Sequence, residues 1–475
     1  MKKYYYRASE KKGRSRPFSS ERREKKTKIY YGAETRKATE NFPFLQDKQY
    51  RVYRFHKEFI LALITIKKAT ARANVTAGNL SKGVGSAIVQ ACDQLLKAEG
   101  PFLRVQFPLP ALMGGAGTSI HMNVNEVVAN MATEILGKRG KKVNVHPNDH
   151  VNFGQSTNDV NPSAIKVAAV PLLKRLNGTV GHLASAFEKR AREYRGVVKL
   201  GRTHLQDAVP VTLGEEFAAY ASLLRGHQQE LKRASGLATI LHLGGTAGGT
   251  AINASPRYRA AVYRELKRAT GHAFRPARNM MAHTGSMSDL VQISQAVTTL
   301  TLECSKVATD IRMMSSGPRG GFGEITLPEL QKGSSIMPGK VNPIMPETVN
   351  ILYYIVSGNN LTIEHAAQGA NLELAVMVPP VIDRLLQSIK ITDNVLRVFA
   401  DRCIMRLVAN KERCLELLER STAYSTLLTP RLGYEVMSVA VKEAVKTGKT
   451  LREVVVGKKL LTNKEFDKVV RAFKP

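Results

Sequence analysis

The densest set of chemically active side chains lies at residues 333–347, which read GSSIMPGKVNPIMPE. Glycines give the backbone freedom at both ends of a turn, and prolines exclude a regular helix. Ser334 and Ser335 supply hydroxyl groups. Lys340 supplies a positive charge, and Asn342 supplies both a hydrogen-bond donor and an acceptor. We therefore predict a mobile loop that binds an anion and transfers a proton, and a substrate with carboxylates suits these groups.

Three further polar blocks lie upstream of this loop. They read GGAGTSIHMNVNEVVAN at residues 114–130, HPNDHVNFGQSTND at 146–159 and GRTHLQDAVPVTLGEEF at 201–217. In this order, the four blocks resemble the signature segments of the fumarase/aspartase superfamily. Members of that family are lyases that eliminate water, ammonia or an amine from a four-carbon diacid unit and release fumarate. Further stretches that resemble the family lie at residues 30–43, 315–328 and 448–467, so the resemblance covers almost the whole chain beyond about residue 30.

Such an elimination requires removal of a weakly acidic proton from the carbon next to a carboxylate. The carbanion is stabilised when its charge spreads into that carboxylate as an aci-carboxylate, so fixed donors around it are the main catalytic device. The resemblance implies that Ser334 is the base, activated by nearby N–H groups and by closure of the loop. It also implies that Asn158 faces the amino group and that His204 lies beside it, polarised by Glu347.

The resemblance assigns the other polar residues of the four blocks to substrate carboxylates. Thr203, Lys340 and Asn342 would hold one carboxylate, with Lys340 among the catalytic groups. Ser335 would donate to a substrate carboxylate through its backbone or side chain. The residues expected to bind the carboxylate that accumulates charge, or to line the same pocket, are Thr118, Ser119, Ser156 and Thr157.

Two short motifs bear on the leaving group. The chain has GAGTS at residues 115–119 and QSTND at 155–159, which resemble aspartases, whereas fumarases tend toward GSGTQ and QSSND. The predicted reaction is therefore the reversible anti-elimination of ammonia from L-aspartate. Because Thr157 in place of Ser adds only one methyl group, hydration of fumarate to malate remains the alternative. A weakly active family member that binds nucleic acid or another polyanion through its basic surface is a further alternative.

Three positions depart from the family pattern. His121 and Ala375 stand where that pattern has Asn, and Met113 stands where it has Gln. Each change removes or alters a polar group near the expected site. We expect these departures to affect catalytic efficiency more than the fold.

The motif HPNDH at residues 146–150 has two readings. In fumarases the positions of His146, Asn148 and Asp149 form a secondary dicarboxylate site, and a structural loop is the alternative. Its H-x-x-x-H spacing resembles a zinc motif, but Pro147 argues against one helix presenting both histidines, and no third ligand stands out. We predict no metal and no cofactor, and the sequence does not predict activation by a divalent cation.

Composition limits the class of protein. The chain has 475 residues, 43% of them hydrophobic, and no run of 18 or more apolar residues, so it can bury large cores without crossing a membrane. Its four cysteines lack C-x-x-C spacing, which favours free thiols in a reducing compartment, and we expect a cytoplasmic protein. The net charge of +32 would draw in a dianionic substrate.

Helical periodicity dominates the architecture that we expect. Long segments at residues 162–194, 212–238, 290–314 and 346–377 place apolar side chains on one helical face. We predict a mainly α-helical, three-domain protein with a central bundle of five long helices. The resemblance implies a homotetramer with a twenty-helix core and active sites shared between subunits. The expected divisions are a basic, disordered tail at 1–28, an N-terminal domain at 29–154, the bundle at 155–409 and a small helical domain at 410–475.

Overall fold

The computed structural model describes residues 27–42 and 55–472, and the segment at 1–26 of the predicted tail lies outside the described residues. Helices precede the central bundle, and the buried faces of Lys57–Ala77, Lys82–Leu96 and Thr118–Lys138 pack against one another. A π-helical turn, Pro147–Val151, then leads into the bundle. The preceding helices are α1 (Ala33–Asn41), α2 (Lys57–Ala77), α3 (Lys82–Leu96), α4 (Gly100–Gln106) and α5 (Thr118–Lys138).

The central part contains the longest helices and several two-stranded ladders. Strands β1 and β2 are antiparallel, β3 and β4 are parallel, and β5 and β6 are antiparallel. In chain order the elements are α6 (Thr157–Glu193), β1 (Val198–Thr203), β2 (Gln206–Thr212), α7 (Leu213–Leu237), β3 (Ile240–Leu241), α8 (Pro256–Thr270), β4 (Arg275–Pro276), α9 (Met280–Gly285), α10 (Ser288–Met314), β5 (Ile325–Thr326), α11 (Ile344–Gln368), α12 (Val378–Phe399) and β6 (Val408–Ala409).

Helices α6, α7, α10, α11 and α12 pack side by side, so the predicted five-helix bundle and the mainly α-helical class are confirmed. The single helical segment predicted at residues 346–377 is wrong at its end. Helix α11 stops at Gln368, and Gly369 follows it as the C-cap. A turn with Leu372 at φ 48° then leads to α12, whose first turn contains proline.

Helix α6 continues through two prolines. A proline at position i removes the N–H that would bond to the carbonyl at i−4. For Pro162 that carbonyl belongs to Asn158, and Nε2 of the buried His242 donates to it at 3.0 Å. The helix therefore keeps this carbonyl satisfied with a side chain from outside the bundle.

A buried ionic cluster anchors the β1–β2 hairpin to the bundle. The carboxylate of Glu324 is fully buried and lies 3.0 Å from Nζ of Lys199 and 2.8 Å from Nη1 of Arg202. Nζ of Lys199 also lies 2.9 Å from the carboxylate of Glu216 at the start of α7. The backbone N–H of Glu324 donates to the carbonyl of Met314, the last residue of α10. The hairpin is thus held at the C-terminal end of α10.

The C-terminal helices form a second apolar core. Side chains between Leu418 and Phe466 pack around one another, and Leu200 of β1 joins them. These helices are α13 (Lys411–Glu419), α14 (Ser425–Leu432), α15 (Tyr434–Thr447), α16 (Leu451–Gly457) and α17 (Asn463–Ala472). The four cysteines of the chain are buried free thiols.

Within residues 27–42 and 55–472, none of the helices combines the length and apolarity that a membrane crossing needs.

We predict that Glu324→Ala lowers the free energy of unfolding by about 3–5 kcal/mol, because Lys199 and Arg202 lose their buried partner. Urea unfolding at a fixed protein concentration measures this. Glu416→Ala is the matched control, since its ion pairs with Arg413 and Arg420 are exposed and contribute at most about 1 kcal/mol. Equal losses in the two variants would contradict a structural role for the buried cluster.

Candidate active site

A capping box begins the longest helix. The hydroxyl of Ser156, the N-cap of α6, accepts from the backbone of the first turn, and the carboxylate of Asp159 accepts from the N–H of Ser156 at 2.9 Å. The other carboxylate oxygen of Asp159 accepts from the N–H groups of Gly244 and Thr246 at 2.8 and 3.1 Å. Burial raises the pKa of Asp159 to about 6, although these N–H donors and Lys67 act in the opposite direction.

Asn158 occupies the first turn of α6 and is half-buried. Its side-chain amide donates to the carbonyl of Ala247 at 2.8 Å, which fixes the orientation of the side chain. Nε2 of His242 donates to the backbone carbonyl of Asn158, and burial lowers the pKa of this histidine to about 4. Asn158 is therefore held on both sides by the loop after β3.

The start of α5 lies beside the start of α6. The side-chain amide of Asn161 donates to the carbonyls of Ala116 and Gly117 at 3.2 and 3.0 Å. Gly117 is the N-cap of α5 with φ 77°, a conformation that favours glycine, and a Cβ there would lie 2.6 Å from Asn161. Thr118, Ser119, Ser156, Thr157 and Asn158 therefore form one polar group, here called the N-terminal group, where two helix N-termini carry positive partial charge.

His121 and Lys67 lie directly behind the N-terminal group. Nδ1 of His121 is 2.9 Å from Oγ1 of Thr157, and its Nε2 is 2.6 Å from Nζ of Lys67. Nζ of Lys67 also donates to the side-chain oxygens of Asn152 and Gln155, both at 2.9 Å. Burial lowers the pKa of Lys67 to about 7, and burial together with Lys67 holds the pKa of His121 well below its usual value.

The sequence predictions missed Lys67. The available signal was its position within the apolar run ILALITIKKATA, where one lysine of the pair must lie on the buried face of α2. Its neighbour Lys68 instead forms an ion pair with Asp93 at 2.5 Å.

Met113 and Ala375, the two other positions that depart from the family pattern, are buried as well. The N–H of Ala375 donates to the carbonyl of Thr284.

The loop at residues 333–342 is closed by one side chain. The amide of Asn342 donates to the carbonyl of Gly333 at 2.7 Å, and a Cβ at Gly333 would lie 2.0 Å from the carbonyl oxygen of Lys340. Oγ of Ser334 accepts from the backbone N–H groups of Ile336 and Met337 at 3.2 and 3.1 Å. Ser335 and Lys340 are exposed. Hydrogen bonds to the oxygen favour the charged form of a hydroxyl, so this turn favours the deprotonated form of Ser334.

Thr203 and His204 lie at the tip of the β1–β2 hairpin and are exposed. His204 and Leu205 form its two-residue turn with φ 54° and 60°, values typical of a type I′ turn that usually contains Asn and Gly. Glu347 lies in the first turn of α11. We call Thr203, His204, Ser334, Ser335, Lys340, Asn342 and Glu347 the loop group.

The N-terminal group and the loop group lie at opposite ends of the bundle in one chain. Helix α6 has 37 residues, which corresponds to about 55 Å at 1.5 Å per residue. The N-terminal group lies at its start. Arg190 in its last turn donates to the carbonyl of Ile404, next to Arg402 and Cys403, which line a small cavity with Asn342. One chain therefore does not bring all predicted site residues together.

The predicted secondary site forms a local turn. The N–H of Asp149 donates to Nδ1 of His146 at 3.1 Å, and the N–H of His146 donates to Nδ1 of His150 at 2.8 Å. Asn148 and Asp149 are exposed. Among the residues that the structure describes, no cluster of three or more His, Cys, Asp or Glu side chains is arranged to hold a metal ion.

Comparison with known proteins shows similarity to lyases over nearly the whole chain. The family model for lyases matches residues 21–358, and that for the fumarase C C-terminus matches 425–474. An aspartate ammonia-lyase from a Bacillus species is 41% identical, covering 94% of this chain and 93% of its own length. A class II fumarase structure from Schistosoma mansoni has a TM-score of 0.87 at 33% identity, covering 93% and 95%. A fumarate lyase/delta crystallin structure from Brucella melitensis has a TM-score of 0.87 at 38% identity, covering 94% and 96%.

We predict that Asp159→Asn changes how stability depends on pH. The pKa of Asp159 is raised to about 6 in the folded state, so the folded protein binds the carboxyl proton more tightly than the unfolded chain does. Protonation of Asp159 therefore stabilises the fold at low pH, and this stabilisation is lost as pH rises from about 4 to 6. The difference in unfolding free energy between wild type and variant should fall by about 3 kcal/mol over that range. Urea unfolding from pH 4 to 7 measures it, with exposed Asp207→Asn as control. A difference that does not vary with pH would contradict the raised pKa.

Proposed function

The chain belongs to the lyase family that includes aspartases and class II fumarases, and we propose that it converts L-aspartate reversibly to fumarate and ammonia. The chain is thus an enzyme with the fold of that family. The choice of L-aspartate is supported by 41% identity to an aspartate ammonia-lyase over 94% of the chain. The observation that carries the proposed chemistry is the pair of backbone N–H groups on Oγ of Ser334.

Ser334 serves as the general base in this proposal. A serine hydroxyl is normally a weak base, and N–H donors at its oxygen stabilise the alkoxide that it must become. The turn that holds these donors is closed by Asn342 on the carbonyl of Gly333. The loop is otherwise exposed, so closure over the substrate would exclude water and strengthen each of these interactions.

The two residue groups divide the work on the substrate. The N-terminal group surrounds the carboxylate that gains charge, because Thr118 and Thr157 begin two helices whose N–H groups and dipoles favour an anion. Asn158 faces the amino group. In the loop group, Thr203, Lys340 and Asn342 hold the other carboxylate. His204, polarised by Glu347, lies beside the leaving amino group.

The length of α6 supports completion of the site by other subunits. The N-terminal group of one chain can meet the loop group only of another chain, and antiparallel association of bundles would bring them together. The exposed face of α11 supports such association. Ile351, Tyr354, Ile355 and Leu361 lie along one side of this helix, and each is between 46% and 64% exposed. A homotetramer with shared active sites is therefore part of the proposal.

Hydration of fumarate to malate is the second candidate. It is supported by the structural similarity to the class II fumarase of Schistosoma mansoni. The two reactions use the same base and the same aci-carboxylate stabilisation, and they differ in the group that leaves. The assay that tests L-aspartate also tests this alternative.

We predict that the purified protein forms fumarate from L-aspartate faster than from L-malate, followed by ultraviolet absorbance. Ser334→Ala should lower kcat by roughly two to four orders of magnitude, because the general base is lost. Ser315→Ala, a serine just after α10, is the matched control and should behave like wild type. Faster turnover of L-malate would select the second candidate, and equal activity of Ser334→Ala would exclude this serine as the base.

We also predict that two inactive variants restore activity when they assemble together. Ser334→Ala removes the base from the loop group, and Asn158→Ala impairs the N-terminal group of the same chain. If each site takes these groups from different chains, coexpressed variants should regain roughly a quarter of wild-type activity, since one site in four receives both intact groups. Size-exclusion chromatography confirms mixed assembly. No regained activity in mixed oligomers would mean that both groups come from one chain.

A further inference from the structure

Lys67 has a complete set of hydrogen-bond acceptors. An ammonium group has three protons, and three acceptors surround Nζ: Nε2 of His121 and the side-chain oxygens of Asn152 and Gln155, at 2.6, 2.9 and 2.9 Å. The two amides are turned this way by their own donors. The amide nitrogen of Gln155 donates to the carbonyl of Val151, and that of Asn152 donates to the carbonyl of Gln155.

This arrangement determines the tautomer of His121. Because Nε2 accepts a hydrogen bond from the ammonium group of Lys67, the ring proton of the neutral imidazole must lie on Nδ1. Nδ1 then donates to Oγ1 of Thr157 at 2.9 Å. Within the described residues this is the one hydrogen bond of the Thr157 hydroxyl. Its own proton is consequently directed away from His121.

The position of Thr157 in the helix leaves that proton available. Many threonines inside helices of this chain donate to the carbonyl four residues earlier, as Thr65 does to Leu61 and Thr348 to Ile344. Thr157 is the first residue of α6, so the residue four positions before it lies outside the helix and offers no helical carbonyl. The carbonyl of Phe153, four residues earlier, instead accepts from the side-chain amides of Asn74 and Gln155.

We propose that Lys67 and His121 are positioning residues that make the hydroxyl of Thr157 a hydrogen-bond donor to a substrate carboxylate. This inference rests on the proposed function, because it requires a carboxylate at the N-terminal group. Neither residue touches the substrate. Both act through Thr157, whose polarity they determine from behind the site.

Loss of one proton from Lys67 would reverse the polarity of Thr157. A neutral amine would donate to Asn152 and Gln155 and accept from Nε2 of His121. Nδ1 would then accept a hydrogen bond from the hydroxyl of Thr157, and that hydroxyl would present only its oxygen to the substrate. A carboxylate is repelled by such an acceptor and attracted by a donor.

The charged and titratable groups that face Lys67 come from three other helices. They are His121 of α5, Asp159 of α6 and Cys92 of α3. Burial raises the pKa of Cys92 to about 12, so this thiol stays neutral near pH 7. Asp159 is ionised above its pKa of about 6 and favours the charged form of Lys67. Lys67, with a pKa of about 7, is therefore the group of this set that changes charge between pH 7 and 8.

Replacement of His121 by Asn supplies a chemical control. An amide has no tautomers of this kind. Its oxygen accepts from Lys67, and its NH₂ group donates to Thr157 whether Lys67 is charged or neutral. His121→Asn should therefore keep Thr157 as a donor at every pH. His121→Phe fills the same space but provides neither a donor nor an acceptor.

The first test is the pH profile of kcat/KM for L-aspartate between pH 6 and 8.5. In wild type we expect a fall of roughly tenfold or more as Lys67 loses its proton, because a hydrogen bond to a charged carboxylate is lost. His121→Asn should lack this fall, and His121→Phe should raise KM at every pH. His272→Asn, a histidine beyond the end of α8 whose imidazole makes no hydrogen bond in the described structure, should keep the wild-type profile. A merely structural His121 would give lowered activity with the profile unchanged, which would overturn the proposal.

The second test does not depend on turnover. Neutron diffraction of wild-type crystals at pD 6 should show three deuterons on Nζ of Lys67, one on Nδ1 of His121, and the hydroxyl deuteron of Thr157 pointing away from His121. At pD 9 the ring deuteron should move to Nε2. A deuteron on Nε2 at pD 6 would overturn the proposal. If wild type turns over neither L-aspartate nor L-malate, the proposed function fails. The neutron result then tests by itself the hydrogen-bond directions between Lys67, His121 and Thr157.

Discussion

The candidate site depends on one buried carboxylate. Asp159 closes the capping box of α6 with one oxygen and accepts two N–H groups of the loop after β3 with the other. The beginning of the longest helix and that loop are therefore held as one rigid unit, and Asn158 and Thr157 take their orientation from it. Fixed donors and the ammonium of Lys67 offset only part of the cost of burying this charge, so the pKa of Asp159 is raised. The same group thus links helix capping, pH dependence and the hydrogen bonds behind Thr157.

The long bundle imposes the second constraint. Side-by-side packing of five long helices gives a large apolar core, but a helix of 37 residues also separates the groups at its two ends by far more than the size of a small diacid. The fold that stabilises each chain thus prevents that chain from completing the proposed site alone. In the proposed assembly, antiparallel packing of the chains has two consequences. It covers the exposed apolar face of α11, and it brings the N-terminal group of one chain to the loop group of another.

Much of this architecture could be predicted from periodicity and local signals. The apolar spacing predicted long helices, and Ser156 followed by Asp159 is a recognisable helix start. The end of α11 could not be predicted in this way, because LELAVM continues an apolar pattern although the chain turns at Leu372. Lys67 was missed for a related reason. Two adjacent lysines have the same sequence signal, and only packing shows that one is buried on His121 while the other reaches Asp93.

By itself, the sequence determined the family, the helical class, the candidate base and the polar residues offered to a diacid, because residue type and spacing are local properties. The tertiary structure decided which of these residues share a surface, since that depends on helix length and packing direction. It separated Ser334 from Asn158 and joined Thr157 to His121 and Lys67. The direction of a hydroxyl proton depends on a chain of buried donors and acceptors, and such a chain exists only once residues distant in sequence are in contact.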